Sequence, residues 1–192
     1  MYYHGSKVSG VHELQPNYSL HGEKFVYLTT NRAVALVYTV NAIERHYELN
    51  NLVKPKEFQP WYSYGFDKDK LPIFDEYYPN AVIETYKGKS GYIYSCEEPK
   101  ESTNPTNIHC AVVTKKPIKV IKEEFIKDIY EEILKLEKQG LCKIRKYEEA
   151  SKSYLNHIES YIKEDIKKYD LENDLTNNYG VFLRAKFPYL FK

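Results

Sequence analysis

The hydrophobic pattern of the chain changes near residue 121, and this change restricts the fold more than any other feature. Before it, short apolar runs of strand type alternate with turns rich in glycine, proline, asparagine and serine, with one amphipathic helix among them. Beyond it, apolar residues recur mainly at the three- and four-residue spacing of helices. This order of elements predicts an α+β fold. A length of 192 residues suffices for one domain with a substantial core.

The elements are predicted from local patterns. Two strands are expected at residues 1–4 and 25–29, and Asn31 stands where an N-cap would precede a single amphipathic helix that reaches Ile43. Residues 50–79 are rich in proline and aromatic side chains, which indicates an irregular but partly packed excursion. The later predictions are strands at 91–97, 110–113, 117–121 and 141–147, helices at 125–140 and 147–169, and an apolar docking segment at 181–191.

Composition excludes several classes of function. The formal net charge is +1, so no overall field favours nucleic acid or an anionic membrane. The three cysteines have no metal or CxxC spacing and are expected to be reduced in a cytoplasmic protein. No apolar run is long enough for a membrane helix or an export signal. No phosphate-binding glycine loop and no metal-spaced histidine pair occurs, so no metal is expected.

The stretch YYHGS ends the first predicted strand with His4, Gly5 and Ser6. A histidine followed by glycine presents a ring and a bare backbone to a flat ligand, because glycine permits close approach. Taken alone, the motif is more often a turn with a surface histidine. Tyr27, on the second strand, and Tyr38, eleven residues later on the predicted helix, provide two aromatic rings that could border one pocket. A core position on the helix explains Tyr38 equally well.

This layout resembles the ADP-ribosyltransferase superfamily, in which a His-Gly-Ser or His-Gly-Thr ends the first core strand and a tyrosine-bearing strand leads into a helix. In the poly-ADP-ribose polymerase branch, the spacing of two nicotinamide-binding tyrosines is similar to that from Tyr27 to Tyr38. The small bacterial rifampin ADP-ribosyltransferases are more similar. Their later blocks are matched by GYIYSCEEP at 91–99, KPIKVI at 116–121 and KLEKQGL at 135–141, so the resemblance covers roughly residues 2–146.

The resemblance implies a split β-sandwich core with flanking helices. Residues 1–146 would form the ADP-ribosyltransferase-like domain, with an aromatic insertion at about 51–86. Residues 147–192 would form a helical extension packed on the same domain. The implied activity is mono-ADP-ribosyl transfer from NAD, which is the substrate, with release of nicotinamide. The acceptor stays open between a small molecule, a protein and a nucleic acid.

The resemblance also implies roles for individual residues. His4 would bind the adenosine-side ribose, the backbone of Gly5 would hold the nicotinamide carboxamide, and Ser6 would assist. Tyr27 would pack against the nicotinamide or its ribose, and Tyr38 would stack on the other side of the ring. Thr29, at the end of the tyrosine strand, completes the set of residues expected to bind NAD.

A carboxylate normally completes the site of the family by supporting the developing cation. Alignment with the rifampin enzymes places Thr103 and Asn104 where an acidic pair is expected. Glu101 is the favoured substitute and Glu98 the next. Glu97, on the other face of the same predicted strand, and Glu76 are further alternatives. If none of them serves, the chain is a degenerate relative that binds NAD or a partner without turnover.

Overall fold

The computed structural model describes residues 1–18 and 23–191, and its fold is α+β, as the sequence predicts. Two compact units make up the chain. The sheet unit comprises residues 1–40 and 88–141, and the aromatic unit comprises residues 41–87 and 142–192. The predicted insertion and the predicted C-terminal extension therefore belong to one unit. The sequence interpretation instead placed its boundary at residue 146.

The elements are numbered in chain order over the described residues. The strands are β1 (Tyr2–Ser6), β2 (Glu13–Leu14), β3 (Asn17–Tyr18), β4 (Lys24–Thr29), β5 (Tyr64–Phe66), β6 (Pro72–Asp75), β7 (Gly91–Cys96), β8 (Ala111–Thr114), β9 (Ile118–Ile126) and β10 (Lys143–Arg145). The helices are α1 (Arg32–Val37), α2 (Ala42–Leu49), α3 (Ala81–Tyr86), α4 (Ile129–Lys138), α5 (Lys152–Lys168) and α6 (Asn178–Lys186), with short 3-10 turns at Tyr147–Glu149 and Pro188–Leu190.

The sheet unit is built on an antiparallel sheet with the strand order β2-β9-β7-β1-β4-β3, in which β8 also pairs with β4. One side of the sheet, the core face, carries a buried apolar cluster that includes Val26, Leu28 and Tyr94. The other side, the helix face, packs on α1, which also contacts α4. Successive side chains of a strand point to opposite faces, so the register assigns each residue of β1 to one of them.

Two helix predictions need correction. The single helix predicted from Asn31 to Ile43 is two helices, although Asn31 does cap α1 by accepting the N–H groups of Ala33 and Val34. Helix α1 ends at Val37 because Thr39 donates both its N–H and its hydroxyl to the carbonyl of Leu36. A second asparagine cap, at residue 41, then starts α2.

The second correction concerns Phe125, which was predicted in a helix and lies in β9. Strand β9 continues to Ile126 because it pairs with β7 along its length. Helix α4 begins after Asp128, whose side chain accepts the N–H groups of Tyr130 and Glu131. The predicted stop at Gly140 is confirmed, since this glycine has a φ of 70° and no side chain to clash there.

In the aromatic unit, Trp61 lies within contact of the rings of Tyr77, Tyr179, Phe182 and Phe187. The core therefore draws on both segments of the unit, and the predicted docking of the 181–191 segment is confirmed by the burial of Phe182 and Phe187. Strands β5, β6 and β10 form a small sheet in which β6 and β10 run parallel. Among the described helices, none has the length and apolarity needed to cross a membrane.

Candidate functional site

Strands β1 and β4 part soon after they meet. Among the described residues, their pairing consists of Tyr3 opposite Thr29. Beyond this pair, β1 continues along β7, with His4 opposite Tyr94, while β4 continues along β8. The backbone pairing is therefore interrupted between residues 4–6 of β1 and 26–28 of β4, and this interruption is hereafter called the β1–β4 opening. It separates the two strands whose motifs suggested a ligand site.

The ring of His4 spans this opening. Its Nδ1 lies 2.9 Å from the carbonyl oxygen of Tyr27. A carbonyl can only accept, so Nδ1 carries the proton. Burial lowers the pKa of His4 below its ordinary value, and the bond to the Tyr27 carbonyl opposes this only in part. The ring is therefore neutral near pH 7, and Nε2 keeps a lone pair that can accept a hydroxyl proton.

Gly5 is required by the fold itself. A Cβ built on Gly5 would lie 1.9 Å from the carbonyl oxygen of Ala35 in α1. The absence of a side chain at Gly5 therefore lets α1 approach β1 closely. The helix occupies the space beside the Gly5 Cα on the helix face. Ser6 also has a local role, because its Oγ accepts the N–H of Val8 at 3.1 Å and forms the turn that leaves β1.

The predicted tyrosine pair is arranged differently from the expectation. Tyr27 shares the helix face with Tyr3 and Thr29, whereas His4 shares the core face with Tyr94. The backbone of Tyr27 therefore meets His4, and its half-buried ring packs edge-on at 6.1 Å from that of Phe25 on the same strand. Its ring and that of His4 point to opposite faces of the sheet.

Tyr38 and Thr29 lie near the two ends of α1. Tyr38 was predicted within a helix, but it is the C-cap residue of α1, where the helix has ended, and it is 39% exposed. Thr29 was expected to bind NAD, but it is buried, and its hydroxyl accepts the N–H of Asn31. This bond fixes the turn between β4 and α1, so the hydroxyl is committed to the fold.

The candidate carboxylates lie outside any buried pocket. Strand β7 ends at Cys96, so Glu97 and Glu98 follow the strand instead of alternating along it, and both are exposed. Glu101 is exposed as well. None of these three positions has the burial that would raise the interaction energy of a carboxylate with a cationic centre.

The segment after Glu101 is anchored to the sheet by Thr103. Its N–H donates to the carbonyl of Val113 at 2.9 Å, and the N–H of Val113 donates back at 2.8 Å. Val113 is in turn opposite Tyr27. Thr103 thus lies two strand spacings, about 10 Å, from Tyr27. Asn104, the other aligned position, donates its side-chain amide to the carbonyl of Ile108.

Glu76, the remaining candidate, is buried, and its carboxylate has a structural role in the aromatic unit. It accepts the N–H groups of Val82 at 3.1 Å and Tyr147 at 3.3 Å. These bonds hold the start of α3 and the turn after β10. The adjacent Asp75, which the sequence did not single out, is completely buried and bonded to Arg145.

Two residues that hold the loop after β1 were missed from the sequence. The Tyr94 hydroxyl lies 2.8 Å from the Glu123 carboxylate and 2.7 Å from the carbonyl of Val8, and Glu123 accepts the N–H of Gly10 at 2.6 Å. Burial and the Glu123 carboxylate raise the pKa of Tyr94 to about 12. The pair fixes the loop that follows His4, Gly5 and Ser6. The alternation of GYIY assigned Tyr92 and Tyr94 to one face, but nothing local indicated that Glu123 would join them.

Within residues 1–18 and 23–191, no three histidine, cysteine, aspartate or glutamate side chains are grouped so that they could hold a metal ion. Comparisons with family models, with curated proteins and with solved structures give no match to this chain. The functional assignment therefore depends on the chemistry of the β1–β4 opening and on the sequence motifs that border it.

Proposed function

We propose that the chain binds NAD at the β1–β4 opening and transfers its ADP-ribose group to an acceptor, releasing nicotinamide. The core would then be the split β-sandwich of the mono-ADP-ribosyltransferases. The observation that carries the proposal is the neutral ring of His4, held across the opening by its bond to the Tyr27 carbonyl.

The orientation of His4 suits a ribose. With Nδ1 committed as a donor, Nε2 can only accept, and a ribose hydroxyl of NAD can donate to it. A protonated ring would have lost this lone pair, so the lowered pKa keeps the acceptor available at neutral pH. The Tyr27 carbonyl fixes both the tautomer and the direction of the ring, as an orienting partner does for a catalytic or ligating histidine.

The proposed reaction breaks the bond between ribose C1′ and the nicotinamide nitrogen. The bonding electrons leave with nicotinamide, C1′ becomes oxocarbenium-like, and a nucleophile of the acceptor attacks it and loses its proton. Glu101, or failing it Glu98, would provide the negative charge that stabilises this centre. Both carboxylates are exposed, so either one would have to approach the sugar when NAD is bound.

A second candidate function is NAD binding without turnover. It is favoured by the exposure of Glu98 and Glu101, and by Thr103, a neutral residue, in the position anchored beside β8. Such a protein would keep the His4 contact to the ribose but would not stabilise the oxocarbenium-like centre. The two functions differ in nicotinamide release and share NAD binding.

Incubation of the protein with labelled NAD and a cell extract separates the two functions. For a transferase, we expect nicotinamide release and label transfer by the wild type, with both reduced at least tenfold in Glu101→Gln and lost in His4→Ala. Glu131→Gln is the matched control, because Glu131 is an exposed glutamate in the first turn of α4. This variant should release nicotinamide and transfer label as the wild type does.

The melting temperature with and without NAD completes the test. If NAD raises it in the wild type but no nicotinamide is released with any acceptor, the protein is the binding form. If NAD does not change the melting temperature of the wild type, and the wild type does not consume NAD, the assignment of the β1–β4 opening as an NAD site is wrong.

A further inference from the structure

An aromatic pair formed by an exposed ring and a half-buried ring lies on the same face of the sheet as His4. Phe125 of β9 is 56% exposed, although it lies in a strand that pairs along its length with β7. Its ring centroid is 5.3 Å from that of Tyr92, which is opposite it in the register. Tyr92 also packs against the core-face cluster. Tyr92 therefore supports one side of the Phe125 ring, and the other side faces solvent.

The register fixes where this pair lies relative to the β1–β4 opening. Ser6 is opposite Tyr92, and Tyr92 is opposite Phe125, so the three form one row across β1, β7 and β9. His4 belongs to the next row on the same face, opposite Tyr94. Tyr92 is thus the diagonal neighbour of His4, about 7–8 Å away. No intervening side chain belongs to this face between the two positions.

The loop after β1 does not take up this row. The Tyr94 hydroxyl lies within hydrogen-bond distance of the Val8 carbonyl, and Glu123 accepts the N–H of Gly10, so the loop is held at the side chains of Tyr94 and Glu123. The row of Tyr92 and Phe125 stays accessible beside it, which agrees with the exposure of Phe125.

We propose that Tyr92 and Phe125 form the platform on which the adenine of NAD stacks. This proposal rests on the proposed function, because it takes the ribose hydroxyl bound by His4 as its starting point. In adenosine, the carbon that bears the 2′-hydroxyl is bonded to the carbon that bears the base. A ribose held by Nε2 of His4 therefore places adenine at the distance of a neighbouring side chain on the same sheet face. Exposed aromatic rings bind nucleic acid bases through their faces.

Three ligands and two substitutions test the platform. The ligands are NAD, nicotinamide mononucleotide, which lacks adenosine, and AMP, which lacks nicotinamide. The variants are Phe125→Ala and Ile121→Ala; Ile121 is equally apolar, 58% exposed and on the same strand, so it controls for loss of surface hydrophobicity. Calorimetric titration should show that Phe125→Ala weakens NAD and AMP about tenfold and leaves nicotinamide mononucleotide unchanged. Ile121→Ala should change none of the three affinities.

The other results each have a definite meaning. If Phe125→Ala binds NAD and AMP as tightly as the wild type does, the platform is wrong and the proposed function stands. An equal loss for all three ligands would also overturn the platform, because Phe125 would then act through the fold. If AMP binds and depends on Phe125 but NAD does not bind, the pair binds the adenine of another nucleotide, and both the NAD platform and the proposed function are wrong. If the wild type binds none of the ligands, both are wrong.

Discussion

Two acidic residues of the aromatic unit and three of the sheet unit are used in opposite ways. In the aromatic unit, Asp75 and Glu76 are buried, and their bonds to Arg145 and Tyr147 join residues 70 and 71 positions apart in the sequence. In the sheet unit, Glu97, Glu98 and Glu101 are exposed. A buried carboxylate persists only where donors replace its water, so burial commits it to the fold. The exposed acids are the ones still available for a ligand.

The three residues of the HGS motif also differ in whether the fold uses them fully or leaves a group available to a ligand. Gly5 and Ser6 are used by the fold, one against α1 and the other in the turn after β1. His4 uses one ring nitrogen for the Tyr27 carbonyl and has a second nitrogen with a lone pair. Of the motif, His4 is therefore the residue whose structural role leaves a ring nitrogen available to a ligand.

The largest effect is expected from Arg145→Met in the aromatic unit. Arg145 donates through Nε to Asp75 at 2.9 Å and through a second nitrogen to its other oxygen, and Tyr154 also donates to Asp75, at 2.6 Å. Removal of the arginine leaves a buried charge with one side-chain donor. The free energy of unfolding should fall by about 3 kcal/mol, measured by urea denaturation. Amide exchange should accelerate in residues 41–87 and 142–191.

Lys143→Met, on the same strand, is the control. The Lys143 ammonium pairs with Asp67, but its side chain is mostly exposed, so the loss should be under about 1 kcal/mol. An equal loss in the two variants would show that burial does not decide the energetic role of these acids. The contrast drawn between the units would then not hold.

A smaller effect is expected from Gly5→Ala in the sheet unit. The new Cβ would lie 1.9 Å from the Ala35 carbonyl, so β1 and α1 must move apart, at a cost of about 2 kcal/mol. Gly65→Ala in β5 is the matched control, since its nearest heavy atom would be 3.9 Å away. Urea denaturation should show a loss for Gly5→Ala alone. If Gly5→Ala is as stable as the wild type but binds NAD more weakly, Gly5 contacts the ligand and is not required by the fold.

Local signals in the sequence were sufficient for the elements that local interactions determine. The alternating strands at β1, β4 and β7, the cap at Asn31 and the stop at Gly140 were predicted because each depends on a few neighbouring residues. The predicted helix through Val40 was wrong because its apolar spacing continues across a break. The break depends on a Thr39 hydroxyl bond that leaves the spacing unchanged.

Long-range contacts explain the other differences. Phe125 looked like the start of a helix, and pairing with β7 places it in a strand. The association of residues 41–87 with the C-terminal segment has no local signature, because buried pairs such as Asp75 and Arg145 are 70 residues apart. At the site, His4 was predicted to end the first strand, whereas β1 continues to Ser6 and has His4 at its centre. The motif could not reveal that α1 would occupy the space beside Gly5.

The last prediction compares one histidine from each unit. Burial lowers the pKa of both His4 and His46, and a nearby Lys186 lowers that of His46 further while Glu84 opposes it. The unfolded chain therefore takes up a proton at a higher pH than either folded site. Their stability contribution is complete above the ordinary histidine value of about 6.5 and is lost as the pH falls below it. The free energy of unfolding should drop between pH 7.5 and pH 5.5, and His4→Asn and His46→Asn should each remove part of that drop. If His4→Asn leaves the pH dependence unchanged, the ring is not held neutral by burial, and its Nε2 lone pair loses its physical basis.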